Sequence, residues 1–335
     1  MIRTRFLARL AAAGVLALTM AAPTGGAAQP KPVVPSGKPG TPAIGSATGQ
    51  AAREPDLAFG AFQRGYYITA FSEATRRVEE KADPKAMTLL GELYAQGFGI
   101  AADDKKAMDW YRLAVERGDR EAMFALAMFH FAGRTGARNR DEMVRLLNAA
   151  AALGHAAAAY NLALLYLEGQ QFPQDFARAA ELFRKASELG NPEAQYALAT
   201  MFKDGRGVNK DMNEAVRLLA AAAQANNLDA TVEYAVAMFN GVGTAKDEPG
   251  AAGLFLKAAR RGSPIAQNRL ARILAAGRGL PLDPVQAMKW HIAAKAGGAG
   301  DLYLDEFASK QKAEDRAAAE EAAKPWIPAG RAPRS

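Results

Sequence analysis

Between residues 83 and 298 the chain repeats itself every 36 residues, six times over, and that period limits its fold more than any other feature. Gly118, Gly154, Gly190, Gly262 and Gly298 stand 36 residues or a multiple apart, with Asn226 in the one gap. A second glycine register runs through Gly97, Gly133, Gly169, Gly205, Gly241 and Gly277. Alanine holds two more, at Ala86, Ala122, Ala158, Ala194, Ala230 and Ala266, and at Ala114, Ala150, Ala186, Ala222, Ala258 and Ala294. A fixed period of this length marks a stacked array in which no unit buries its apolar face alone. The length of 335 residues therefore counts units rather than domains. Half of the residues are hydrophobic and 23% are charged, which suits a packed helical array and is too apolar for a mostly disordered chain.

Each unit reads as helix A, glycine loop, helix B. Asp83-Pro84, Asn191-Pro192 and Ser263-Pro264 each supply an N-cap followed by proline at the first helical position. Helix A carries Ala86, Leu90 and Tyr94, with Ala122, Leu126 and His130, then Ala158, Leu162 and Tyr166, as the next equivalents. The pairs Gly97/Gly99, Gly205/Gly207, Gly241/Gly243 and Gly277/Gly279 turn the chain back. Helix B starts at the polar caps Asp103, Asn139, Asp175, Asp211, Asp247 and Asp283, and Glu214 and Gln286 are placed to close capping boxes. It turns Ala107, Trp110, Tyr111 and Ala114 inward, as it does Ala179, Leu182, Phe183 and Ala186 two units later.

The flanks differ in kind. Arg3, Arg5 and Arg9, the apolar stretch 10–22 and small residues at 26–28 read as a cleaved secretory signal over 1–28. The apolar stretch is short beside the ~20 residues a spanning helix needs, so membrane contact is expected only if the signal stays uncleaved. Residues 29–54, rich in Pro, Gly and Ala, read as a disordered linker. A degenerate capping repeat is expected over 55–82, around Leu57, Phe59, Phe62, Tyr67, Ala70, Phe71, Ala74 and Val78. At the other end, 299–326 reads as capping helices with Trp326 folded back, and 327–335 as a frayed tail. Without the three leader arginines the net charge falls from +7 to +4, too mild to argue for nucleic acid. There is no cysteine, so disulfides and thiol chemistry are excluded and packing alone must hold the fold.

The run from Leu90 through Tyr94, Gly97 and Gly99 to Ile100, followed by Asp103, Ala107, Trp110, Tyr111, Ala114 and Gly118, resembles the Sel-one-like repeat, a relative of the tetratricopeptide repeat with a longer inter-helix loop. The resemblance covers roughly residues 55–326. It implies an all-α, right-handed α-solenoid of six 36-residue helix-loop-helix repeats with helical caps, and a non-enzymatic adaptor role. Unit two departs from the pattern at Gly133-Arg134-Thr135-Gly136 and unit three at Gln170-Gln171-Phe172-Pro173, where the loops are expected to be reshaped. Some secreted relatives are cysteine-rich and associated with β-lactam hydrolysis, but this chain lacks their bridging cysteines.

No catalytic constellation emerges. His130 and His291 occupy registers filled elsewhere by Tyr94 and Tyr111, and His155 follows the unit-closing Gly154, so all three read as packing or junction residues. Ser309-Lys310-Gln311-Lys312 has the spacing of a penicillin-recognising motif without its companion patterns. The double-glycine loops lack the strand and the Gly-Lys-Ser/Thr of a phosphate loop. No metal ligand set and no cofactor is expected.

In repeats of this relationship helix A lines the concave side. The registers two, six, nine and ten residues after its first alanine are the ones left for contact. They give Phe124, Met128 and Phe131 in unit two, Tyr160, Leu164 and Leu167 in unit three, Tyr196 in unit four, and Val232, Val236 and Phe239 in unit five. In units one and six they are polar or small, namely Thr88, Glu92, Ala95 and Gln96, then Asn268, Arg272, Ala275 and Ala276. The expectation is an apolar groove that holds a partner helix or peptide, unless curvature buries these residues between neighbouring A helices. The function expected is an interaction scaffold or regulatory adaptor of the bacterial cell envelope, exported to the periplasm. The partner expected is an envelope protein or peptide, a membrane sensor histidine kinase repressed by the chain being one candidate. Hydrolysis of a β-lactam or cell-wall substrate is the alternative of another class.

Overall fold

The computed structural model describes residues 56–169 and 171–327. The leader expected over 1–28, the linker over 29–54 and all but the first residue of the tail lie outside the described residues. Among the described residues there are sixteen α-helices, one 3-10 turn and no strand. The chain divides into two compact units, Met1–Ala122 and Met123–Ser335.

The first unit holds α1 (Leu57–Gln63), α2 (Tyr67–Lys81), α3 (Pro84–Gln96), α4 (Asp104–Glu116) and the start of α5 (Arg120–Ala132). Helices α1 and α2 pack on helix A of repeat one. Their buried side is made of Ala58, Ala61, Ala70 and Ala74, packed on Leu89, Leu90 and Leu93, while Leu57 and Phe59 face outward. Phe62, Tyr67 and Phe98 form a ring cluster, with Tyr67 stacked on Phe98 at 4.7 Å. Tyr111 fits against α3 because residue 91 is glycine: a Cβ there would lie 2.5 Å from the Tyr111 ring. The Tyr111 hydroxyl donates to Glu92 Oε2 at 3.0 Å.

The second unit continues the pattern with α6 (Arg140–Ala152), α7 (Ala156–Glu168), α8 (Phe176–Glu188), α9 (Pro192–Asp204), α10 (Met212–Gln224), α11 (Leu228–Asn240), α12 (Glu248–Arg260), α13 (Pro264–Ala276) and α14 (Pro284–Ala296). The C-terminal cap is α15 (Leu302–Ser309), α16 (Ala313–Ala323) and the turn Lys324–Trp326. Every helix of the six repeats has 13 residues, about 20 Å of α-helix. Uniform length keeps each alanine of one repeat level with its counterpart in the next. Ala158, Ala194, Ala230 and Ala266 are fully buried, as are Ala150, Ala186, Ala222, Ala258 and Ala294. Small side chains at matched heights allow close helix approach, and Phe183, Leu219 and Phe255 fill the spaces left. His291, at the same register, is also buried. Trp326 returns onto Trp290 at 4.8 Å, as the sequence suggests.

The polar residues before helix B all cap it. Asp103, Asn139, Asp175, Asp211, Asp247 and Asp283 each accept a backbone N–H from the first turn of the helix that follows. The capping boxes expected of Glu214 and Gln286 do not form. The N–H such a box would satisfy is already bonded to helix A, Asp211 N to Phe202 O at 3.0 Å and Asp283 N to Leu274 O at 3.1 Å. Glu214 turns instead to Arg217, at 2.6 and 2.7 Å. The same closure recurs at Asp103, Asn139, Asp175 and Asp247, so a side-chain cap and a backbone bond together fix the loop in every repeat.

Candidate partner-binding site

The registers proposed for contact fall into three environments. Four residues of the register two after the first alanine of helix A, Thr88, Phe124, Tyr196 and Asn268, face the junction with the next repeat. In the first unit, Thr88 Oγ1 donates to Asp119 Oδ1 at 2.9 Å. In the second, Phe124 stacks on His155 at 4.5 Å, and Asn268 Nδ2 donates to Asp301 Oδ2 at 3.0 Å. His155 is itself the N-cap of α7, with Nδ1 accepting from Ala158 N at 3.1 Å. The Tyr196 hydroxyl donates to Glu233 Oε1 at 2.9 Å, and Lys203 pairs with Glu233 Oε2 at 2.6 Å.

The second environment is core. Tyr160, Leu164, Leu167 and Val232 are all buried, Tyr160 to 3% exposure with its ring 5.6 Å from that of Phe183. Fully buried alanines at the adjoining turns, Ala159, Ala163, Ala199 and Ala235, leave too little standoff for these side chains to reach solvent. These four are packing residues, not groove residues. Burial also makes the Tyr160 hydroxyl harder to ionise, with Glu193 adding to the effect. Met128 is half-buried, and Phe131 is 39% exposed with Arg138 above its ring at 5.9 Å.

The third environment is open. Val236 and Phe239 line a cavity of about 290 Å³ together with Asn240, Phe255, Arg269, Arg272, Ile273, Ala276, Arg278 and Tyr303. Phe255 and Ile273 belong to the buried core and form its apolar part. Two stacked cations frame it: Arg278 lies over Phe239 at 4.6 Å and Arg272 over Tyr303 at 5.2 Å. Both are held by carboxylates, Arg278 by Glu248 at 2.5 Å and Arg272 by Asp301 at 2.5 Å. Hydrogen bonds from Arg278 and Lys246 hold the Glu248 carboxyl down at about 2, and that of Arg272 does the same for Asp301.

Sequence reasoning reached Val236 and Phe239 and missed the rest of this wall. Arg272 and Ala276 stand at contact registers of unit six but were set aside as polar or small. Arg278 stands between the paired glycines Gly277 and Gly279, and Tyr303 follows the sixth repeat, so neither falls at a contact register. The available signal was an arginine inside a glycine pair, one repeat beyond an aromatic contact position.

The remaining polar candidates have structural partners. His291 Nε2 lies 2.8 Å from Asp305 Oδ1, which Lys295 also reaches at 2.7 Å. Ser309 Oγ donates to the Glu306 carbonyl at 2.8 Å, and Lys310 pairs with Glu306. Among the described residues no group of three His, Asp or Glu side chains is placed to hold a metal ion, and no helix is long and apolar enough to cross a membrane.

Comparison with known proteins agrees with the helix-pair repeats. The family model described as Sel1 repeat matches six times, at 84–119, 120–155, 156–191, 192–227, 229–263 and 264–298. A solved Sel1 repeat protein from Oxalobacter formigenes is similar, with 29% identity over 76% of this chain and 74% of that one, at a TM-score of 0.59. A protective antigen present in uropathogenic Escherichia coli strains, displaying an SLR fold, shares the fold at 24% identity and a TM-score of 0.53. That match covers 78% of this chain and 64% of the antigen, so the chain spans less than two thirds of the antigen's length. No curated protein matches the sequence. Sel1 repeats form a generally non-catalytic scaffold that typically mediates protein–protein interaction. With six matched repeats and the corresponding helix pairs in place, this chain belongs to the Sel1 repeat family.

Proposed function

We propose that the chain is a non-enzymatic scaffold or regulatory adaptor of the bacterial cell envelope, holding a segment of a partner protein against its last two repeats. One observation carries the reading: Val236 and Phe239, at registers the repeat leaves for contact, border an open cavity while their counterparts Leu164 and Leu167 are spent on the core. An array whose units pack only on their neighbours can spare side chains in this way without losing its fold. The envelope part of the proposal rests on the basic and then apolar stretch over residues 3–22.

The test is crosslinking in cells, followed by mass spectrometry, on the wild type and a Val236→Ser/Phe239→Ser variant of equal helicity. Capture of one envelope protein by the wild type alone supports both the scaffold role and its site. Equal capture by both moves the site elsewhere, and no capture by either tells against a scaffold.

A further inference from the structure

The cavity between Val236, Phe239, Ile273 and Tyr303 narrows the chemistry of what it can hold. Three of its lining side chains are arginines and none is a carboxylate. Arg272 is matched by Asp301, and Arg278 shares Glu248 with Lys246, which reaches the same Oε1 at 2.9 Å. Arg269, exposed on α13 one turn before Arg272, meets no carboxylate among the described residues. The wall therefore carries an excess of positive charge centred on an unpaired guanidinium, beside apolar surface. At about 290 Å³ the space lies at the low end of ligand sites, which run ~300–1,000 Å³. It has room for one or two side chains rather than for a whole helix. A polyphosphate chain fits less well, since Asp301 and Glu248 would repel successive phosphates.

We infer that this cavity takes an acidic segment of the partner protein, with a Glu or Asp carboxylate on Arg269 and the neighbouring apolar side chain between Val236, Phe239 and Ile273. Arginine is suited to this role, because its planar guanidinium can give a carboxylate two parallel hydrogen bonds. The inference rests on the partner-binding reading above and specifies the chemistry of the segment bound.

The experiment pans random heptapeptides displayed on phage against the full chain and reads the selected pool by sequencing. It compares the wild type with Arg269→Glu, which breaks no ion pair, and Ala276→Trp, which fills the cavity and keeps its charge. The wild type is expected to enrich Asp or Glu next to Leu, Ile, Met or Phe at least tenfold. Arg269→Glu should lose the acidic preference, and Ala276→Trp the apolar one, with circular dichroism unchanged in both. If Arg269→Glu loses helicity, Arg269→Gln serves in its place.

A neutral or basic selected pool overturns the inference, as does an acidic preference that survives Arg269→Glu or no enrichment at all. Preferential capture of phosphatidylglycerol vesicles or of single-stranded DNA by the same arginines also overturns it. An envelope partner that still crosslinks to Arg269→Glu defeats the inference and leaves the scaffold reading standing. A wild type that crosslinks to nothing defeats the scaffold reading itself.

Discussion

Arg272 grips Asp301 at two points, Nε to Oδ2 at 2.5 Å and Nη2 to Oδ1 at 2.8 Å, and so ties the last repeat to the C-terminal cap. Asp301 also accepts from Asn268 and caps α15 through Tyr303 N at 3.1 Å. Its carboxyl is held at about 2 in the fold, against ~3.9 in an unfolded chain. A depressed carboxyl stabilises fully above its unfolded value, and that contribution is lost as pH falls through the folded one. Asp301→Asn keeps a capping oxygen and removes the charge. It should cost about 1–2 kcal/mol at pH 7, a figure reduced for the half-open Arg272, and close to nothing near pH 2. Urea midpoints of both proteins at the two pH values check this, and a penalty independent of pH would rule out the charge as its source.

The two glycine classes should respond differently to alanine. Gly262 has φ +82 with no atom within 4 Å of an added Cβ, whereas at Gly243, with φ +70, that Cβ would lie 2.6 Å from Met212 O. Gly262→Ala therefore bears only the left-handed backbone penalty of about 1–2 kcal/mol. Gly243→Ala adds a clash between the loop and the preceding helix B, about 1–3 kcal/mol more. Equal urea midpoints for the two variants would mean that the second glycine of the loop is not there for close approach.

The fold was legible because the period fixes which residues share a height, and the N-caps and paired glycines mark where each helix stops and starts. The site was legible only in part, for a physical reason. A register tells which way a helical side chain points, but not how near the next repeat comes. Leu164 and Val236 share a register, yet the first is buried and the second borders a cavity. What distinguishes unit five is its neighbour, since unit six offers Arg272 at the register where unit four, the neighbour of unit three, offers Thr200. The capping boxes failed for a similar reason: the carbonyls of Phe202 and Leu274, on another helix, took the N–H groups that a local reading left free.

Asn226 is the one departure from glycine in the unit-closing register, and its φ is +65. Asparagine tolerates this left-handed region better than other side chains, though still at some cost. Glycine relieves that cost and adds freedom to the unfolded chain, two terms of opposite sign. The six-fold use of glycine or its nearest substitute here argues that the first term is larger. Asn226→Gly is expected to raise stability by a few tenths of a kcal/mol, read as a small rise in urea midpoint, and a fall would give the side chain a role of its own.

Tyr160 offers the sharpest test of whether a contact register has been given over to the core. Its ring is buried beside Phe183, and its hydroxyl is buried with no hydrogen-bond partner. A buried hydroxyl left unpaired costs about 1–3 kcal/mol relative to one in water. Tyr160→Phe keeps the ring packing and removes that cost, so it should be neutral or stabilising by about 1 kcal/mol and leave partner capture unchanged. Tyr160→Ala removes the ring as well and should cost about 3–5 kcal/mol, as other large core truncations do. A Tyr160→Phe variant that folds normally but loses its partner would show that the hydroxyl faces outward in solution and would return this position to the binding surface.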